Sequence, residues 1–338
     1  MSFDRQSSAF SLVADIGGTN TRVAVADGGH LLVETVRRYR NVDHSSLEAV
    51  LRRFLKDAGD VHCAGACVAV AGPVSGCVAE LTNVEWRIDT GTLADASGTE
   101  TVALLNDLQA QGHALGRIMD TDLIEIIPAA DHNPLDTRLV IGIGTGFNAA
   151  PVHFTNSGRL VMPSEAGHAS FPARNEADLN LLRFLEETRG FPDVEEALSG
   201  RGLESVHAWL GREAGEPHRL TASDIIAGFE SGSDPRAAEA MRTFARLLGT
   251  VAGNLALAHL PFGGIYLTGG VARAFAPHLR NLGFGEAFRS KGRFADFMHR
   301  FGVTVVNDDF AALVGCAGHL AEIRSQESAE LHRGFRET

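Results

Sequence analysis

The chain has 338 residues, 44% of them hydrophobic and 21% charged, and a formal net charge of −12. That length allows two domains with sizeable cores, while the acidic balance argues against a nucleic-acid surface, which needs a basic patch. Four cysteines (Cys63, Cys67, Cys77 and Cys316) form no Cys-x-x-Cys pair and read as reduced structural thiols.

Asp4, Arg5 and Asp15 interrupt the only apolar stretch near the start, so no secretory signal is readable and a cytoplasmic protein is expected. The next stretch, Leu12-Val13-Ala14-Asp15-Ile16-Gly17-Gly18-Thr19-Asn20-Thr21-Arg22, is an apolar run that ends in an acid, two glycines and a hydroxyl residue. A second apolar run, Val23 to Ala26, follows at once, which is the grammar of a β-hairpin turning at Gly17-Gly18. Two readings of the turn stand side by side: an ordinary hairpin with a capping Asp, or a nest of backbone amides for phosphate. In the second reading Asp15 would hold a magnesium ion, directly or through water.

Ser45, Ser46 and Glu48 open an amphipathic helix with Leu47, Val50, Leu51, Phe54 and Leu55 on one face. His62, Cys63 and Cys67 suggest a metal at first sight, yet Val61 to Val70 reads as a buried strand rich in small residues. Val78 to Asn83 reads as a short extended segment. Thr101 to Leu105 is a strand that ends on Asn106-Asp107, and a helix from Leu108 to Leu115 follows. The acid therefore sits where a strand gives way to a helix, either as a helix cap or at the crevice position for ligands in open α/β sheets.

Arg138 to Phe154 repeats the opening theme: Leu139-Val140-Ile141 runs into Gly142-Ile143-Gly144-Thr145-Gly146, and an apolar return begins at Phe147. It fails as a dinucleotide fingerprint, and no Walker-type G-x-x-x-x-G-K-[ST] loop is present. Two glycine hairpins in two halves of a chain suggest a duplicated fold with a nucleotide between its lobes. Glu165 and His168 then lie three apart in a short loop, with no metal motif around them.

Further helices are expected from Asn175 to about Arg189, with Leu179, Leu182, Phe184 and Leu185 inward, and after the cap Asp193, stopping at Ser199-Gly200-Arg201-Gly202. Another carries Leu203, Val206, Trp209 and Leu210, and Thr221 caps the next. Asp234-Pro235 opens the longest, a core helix. The uncharged run Leu247 to Ala272 is long enough to span a bilayer. It contains Asn254, His259, Pro261 and several glycines, so a buried helix, a turn and a strand fit it better. Thr268-Gly269-Gly270 ends that strand, where a flat apolar ring such as adenine can approach the backbone. A helix around Arg293 to Phe301, a strand Gly302 to Val306, a last helix Phe310 to Ile323 and a frayed tail from Ser325 complete the expectation.

These motifs resemble the bacterial glucokinase family of the hexokinase/actin-like ATPase superfamily, over about Leu12 to Leu320. The resemblance implies an α/β, two-lobed actin-like ATPase (ribonuclease H-like) fold with mixed sheets and a nucleotide and sugar cleft between the lobes. It places residues 10–118 plus 307–324 in a small lobe and 119–306 in a large one. It implies transfer of the γ-phosphoryl group of MgATP to the 6-hydroxyl of glucose by a cytoplasmic homodimer, with no nucleic-acid or membrane partner.

Ala14, Asp15, Ile16, Gly17, Gly18, Thr19 and Asn20 match the first phosphate loop, with Asp15 towards Mg²⁺. Gly144, Thr145 and Gly146 match the second, and Gly269 and Gly270 the adenosine segment. Asn106, Glu165, His168 and Glu195 match sugar-binding residues, and Asp107 the catalytic base, itself in contact with the sugar. Three departures stand out: Phe147-Asn148 replace a leucine and a glycine, Ser164 and Ala166 stand where glycine is usual, and Arg201 replaces a common proline. The alternatives are a kinase for another hexose and a non-catalytic sugar-sensing regulator. Such regulators carry a helix-turn-helix ahead of the first loop, and only eleven residues precede Leu12 here.

Overall fold

The structure, a computed structural model, describes residues 10–81, 86–155 and 158–334. It divides into two compact units, Met1–Met119 with Thr155–Val161 and Asp308–Thr338, and Asp120–Phe154 with Met162–Asn307.

The first unit is built on a hairpin. Strand Phe10–Ile16 pairs antiparallel with Asn20–Asp27, setting Asp15 opposite Arg22 and Ile16 opposite Thr21. Ala66–Val70 lies parallel beside Phe10–Ile16, and Val102–Asn106 parallel beside that. Alternation along the first strand sends Leu12, Ala14 and Ile16 to one apolar layer and Val13 to the other. Helices Leu47–Asp57 and Thr90–Ser97 cover the first face through Leu47, Val50, Leu51, Phe54, Leu93 and Ala96. Helices Asp107–Ala114 and Ala311–Gly334 cover the second through Ala110, Ala312, Leu313, Cys316 and Ala317. Cys63 is buried, and burial pushes its thiol up to about 12, as expected of an inert core cysteine.

The second unit repeats the motif. Arg138–Ile143 pairs antiparallel with Phe147–Thr155 and parallel with Ile265–Thr268, which pairs parallel with Val303–Val306. Leu123–Ile127 closes the edge antiparallel to Val303–Val306. Helix Pro235–His259, with Pro235 in its first turn and Asp234 as cap, buries Met241, Phe244, Leu248 and Val251 in the unit's core. Among the described residues no helix is long and apolar enough to cross a membrane. The uncharged 247–272 run is shared between this helix and strand Ile265–Thr268.

Several local expectations need correction. In helix Glu176–Arg189 Phe184 and Leu185 are buried and Leu182 packs against the core as expected, but Leu181 (1% exposed) takes the inward place foreseen for Leu179, which is 40% exposed. In the first turn it is Asp178 that turns inward, to pair with Arg246 (Nη2–Oδ1 2.6 Å). Ser199 does not end a helix; its hydroxyl accepts the Gly202 N–H and opens Gly200–Glu213. The segment around Arg293 to Phe301 is two 3₁₀ turns, Gly292–Phe294 and Phe297–Arg300, anchored by the rings of Phe297 and Phe301 against Phe262. The last helix continues past Ser325 to Gly334. The strand foreseen from Val61 begins only at Ala66. Val78–Glu80 is extended as expected, while Thr82 and Asn83 lie outside the described residues.

Candidate active site

The first phosphate-loop candidate is the three-residue connection between Ile16 and Asn20. Gly17 N–H donates to Asn20 O (3.0 Å), closing the turn. The buried side chain of Asn41 braces it. Asn41 Nδ2 donates to Gly17 O (2.8 Å), Asn41 Oδ1 accepts the Thr21 hydroxyl (2.9 Å), and Asn41 N–H donates to Thr19 O (2.9 Å). Two loop carbonyls are thus occupied. Among the described residues no acceptor takes the Gly18 or Thr19 amide. Such a pair of free donors suits an anion.

Asp15 stands one residue before the end of the strand that enters this turn, with Arg22 Nη1 at 3.7 Å from its Oδ2. Its carboxyl is pushed up to about 6, chiefly by burial, against the pull of Arg22 and with a further push from the Asp107 charge. A carboxylate so short of compensation is a good oxygen ligand for a hard cation.

Asn106 ends the strand Val102–Asn106 and caps helix Asp107–Ala114. Its Oδ1 accepts the Gln109 N–H (2.6 Å) and its own N–H donates to Gln109 Oε1 (3.1 Å), a reciprocal capping box. Capping and ligand binding are compatible here, because the cap uses Oδ1 and leaves the amide NH₂ as a donor. Asp107 is exposed at the first helical position, and its Oδ1 accepts the Leu108 N–H (2.9 Å).

In the second unit the register Gly142↔Thr268 brings two strand ends side by side, so that Gly144–Gly146 and Gly269–Gly270 emerge together. Gly269 has φ +98°, and a Cβ there would lie 2.4 Å from Ile143 O. Glycine is required on both counts. The second loop is clamped from the next segment. Gly200 N–H donates to Gly144 O (2.8 Å), and the Phe147 N–H donates to Glu195 Oε2 (2.9 Å). Glu195 Oε1 accepts from Arg201 Nη2 (3.1 Å), so the arginine that departs from the family pattern steadies the glutamate.

Glu165 precedes the 3₁₀ turn Ala166–His168, and His168 is its last residue. With three residues per turn, positions three apart share a face. Gly167 between them is buried against the second loop; a Cβ there would fall 2.0 Å from Phe147 O. His168 Nδ1 is 3.1 Å from Asp193 Oδ2, a contact that raises the imidazole pKa. Asp193 Oδ1 accepts the Glu196 N–H (2.9 Å) and caps helix Val194–Ala197, which carries Glu195. One aspartate therefore sets both the histidine and the glutamate. Asp193→Asn keeps the cap but removes the charge, so it is expected to lower the His168 pKa, read from imidazole shifts in an NMR pH titration.

The other two departures from the family pattern meet each other. Asn148 Nδ2 donates to Ser164 O (2.5 Å) and to Glu165 Oε2 (3.2 Å). Its Oδ1 accepts the Ala166 N–H (2.9 Å), and the Ser164 hydroxyl also reaches that oxygen at 3.4 Å. Asn148 thus ties the strand after the second loop to the turn that bears Glu165.

Asn41, Asn148 and Asp193 were not foreseen as site residues. Asn41 acts on a loop some twenty residues earlier, and no local signal in the sequence links the two. The capping position of Asp193 is visible from sequence, but its second contact, to His168, is not.

A model of the Glucokinase family matches residues 12–323. The chain belongs to the glucokinase family. It is 33% identical over 327 residues to a glucokinase of Xanthomonas euvesicatoria, an alignment that covers 94% of this chain and 97% of the relative. A Caulobacter glucokinase is 33% identical over 90% of this chain and 93% of its own length. The crystal structure of a glucokinase from an Antarctic psychrotroph superposes with TM-score 0.83 at 29% identity, covering 92% of this chain and 98% of that one. The fold is accordingly the actin-like ATPase fold of this family, and its doubled hairpin-plus-parallel-strand motif is the one described above.

Proposed function

We propose that this protein is a glucokinase that moves the γ-phosphoryl group of MgATP to the 6-hydroxyl of glucose. The family match over residues 12–323 supports the activity. The observation that carries the residue roles is the retention of every polar group the chemistry needs, each held in place by its own neighbours.

Phosphoryl transfer passes through a loose transition state, so positioning and charge neutralisation supply most of the rate. Asp107 accepts the proton of the 6-hydroxyl as that oxygen bonds to the γ-phosphorus. The bond from the γ-phosphorus to the bridging oxygen breaks, and ADP leaves with that electron pair. Gly144 N–H closes its own turn on Gly146 O (2.9 Å), so the amides of Gly18, Thr19, Thr145 and Gly146 hold phosphate oxygens, and Asp15 would hold Mg²⁺, directly or through a water. Gly269 and Gly270 admit the adenine against the backbone. The NH₂ of Asn106 donates to a sugar oxygen, Glu165 and Glu195 accept from sugar hydroxyls, and the ring edge of His168 turned away from Asp193 completes the set. A site of many paired donors and acceptors rejects a sugar that leaves one of them unpaired, by factors of about 10⁴ or more in the best cases.

The discriminating experiment measures ADP release from MgATP across glucose, mannose, glucosamine and fructose. Glucose should give the highest kcat/KM. A higher value for another hexose would reassign the substrate, and no sugar-dependent release would leave a sensing role. Homodimer formation in the cytoplasm belongs to the same reading and is tested by sedimentation.

The Asn148–Ser164 link is expected to matter to the sugar. Asn148→Gly should raise the KM for glucose several-fold, by freeing Glu165, with kcat less affected. Asn148→Gly combined with Ser164→Gly, which restores the usual glycines, should recover part of the loss. Steady-state kinetics of the wild type and the two variants decide it.

A further inference from the structure

In a chain with a net charge of −12, five arginines converge on one cavity of the second unit. Arg174, Arg242, Arg246, Arg280 and Arg289 line a space of about 800 Å³, within the size range of small-molecule sites. The carboxylates of the lining are Glu239 and Glu286.

The contacts of these arginines leave the cationic excess in place. Arg246 is held by the buried Asp178 (2.6 and 3.3 Å), the one close charge pair of the group. Arg242 reaches Glu239 only at 3.4 Å. Arg174 donates to the Ser290 hydroxyl (3.2 Å) and Arg280 to the Glu125 carbonyl, both neutral acceptors. Among the described residues none accepts a hydrogen bond from the Arg289 guanidinium.

The surplus charge is felt next door. Lys291 donates to the carbonyl of Thr250, a lining residue, and its ammonium is pushed down to about 8 by burial and by the charge of Arg174.

We propose that this cavity binds a small molecule carrying a phosphate or diphosphate group. Several forked guanidiniums converging from separate segments match the tetrahedral oxygens of phosphate and outnumber the lining carboxylates. The concave, local character of the basic patch suits a small ligand. A nucleic acid or an acidic protein would meet the acidic remainder of the chain and be repelled. The cavity shares no lining residue with the phosphate loop Gly144–Gly146, and the inference does not depend on the glucokinase reading.

The test is calorimetric titration of inorganic pyrophosphate into the full chain, with binding at any other phosphate-binding loop told apart by its insensitivity to substitution of the cavity arginines. Saturable binding of one pyrophosphate per chain is expected. Arg242→Ala with Arg289→Ala should weaken it about tenfold or more at unchanged Tm, whereas Arg53→Ala, at an exposed site of the first unit, should not. Pyrophosphate should also raise the pKa of Lys291, followed by NMR of ¹³C-methylated lysines. Absence of saturable binding, or equal affinity in the wild type and the double variant, would overturn the proposal. So would a change in sedimentation of the double variant without any change in pyrophosphate affinity, because the arginines would then serve a protein contact.

Discussion

Asp107→Asn is expected to lower kcat by about 10²–10⁴, the usual range for loss of a positioned general base, while glucose still binds within a few-fold of the wild-type affinity. The physical case rests on what the substitution preserves. Asparagine keeps the shape of the side chain, and its Oδ1 can still accept the Leu108 N–H that Asp107 accepts now. The helix Asp107–Ala114 keeps its capping box, because that box belongs to Asn106 and Gln109. What disappears is the ability to take a proton. Coupled ADP release and calorimetric glucose titration separate the two quantities. Retained turnover would remove Asp107 from the base role, and loss of glucose affinity at unchanged kcat would make it a binding residue only.

The second large effect is opposite in sign for stability and for activity. Asp15 has a carboxyl pushed up to about 6, from an ordinary value of 3.8. A carboxylate whose folded pKa is raised costs the native state when it ionises, so stability falls as pH rises from about 4 to 6 and stays lower above that window. Asp15→Asn removes this cost. At pH 7.5, without nucleotide or metal, the variant is expected to gain about 2–3 kcal/mol, since each pKa unit corresponds to about 1.4 kcal/mol. The gain should vanish near pH 4, where the wild-type carboxyl is protonated. Turnover with MgATP should fall by orders of magnitude in the same variant. Thermal melts at the two pH values and a kinetic assay check it; equal melting temperatures at pH 7.5 would show that Arg22 compensates Asp15 fully.

Elements bounded by strong local signals were legible from sequence. The hairpin of Phe10–Ile16 and Asn20–Asp27, helix Leu47–Asp57 with its Ser46 cap, and helix Pro235–His259 follow from alternation, capping and helical spacing. The edge strand Arg37–Arg40 was missed because three of its four residues are arginines; it owes its place to the ladder offered by Asn20–Asp27. Leu182, Phe184 and Leu185 face inward in helix Glu176–Arg189 as expected, but Leu179 does not, because a buried aspartate at 178 looks like surface until its arginine, 68 residues later, is known. The same distinction runs through the site. Loops written in contiguous letters, Asp15 to Asn20 and Gly144 to Gly146, are readable, and so are the strand-end Asn106-Asp107 and the pair Glu165 and His168. The groups that set their geometry come from elsewhere in the chain, and neither the Asn41 brace nor the second role of Asp193 has a local signature.

The last helix has a consequence for how the protein is made. One apolar face of the first unit's sheet, including Val13, Cys67 and Ala103, packs against Ala312, Leu313 and Cys316. Those residues leave the ribosome only after the whole of Asp120–Phe154 and Met162–Asn307. The unit that starts the chain is therefore the one that finishes second. During synthesis the helix that begins at Asp107 waits, with its apolar side bare, for a partner encoded some two hundred residues downstream. A nascent chain can complete the unit bearing Glu165, His168 and Glu195 before the helix that begins at Asp107 has its packing partner.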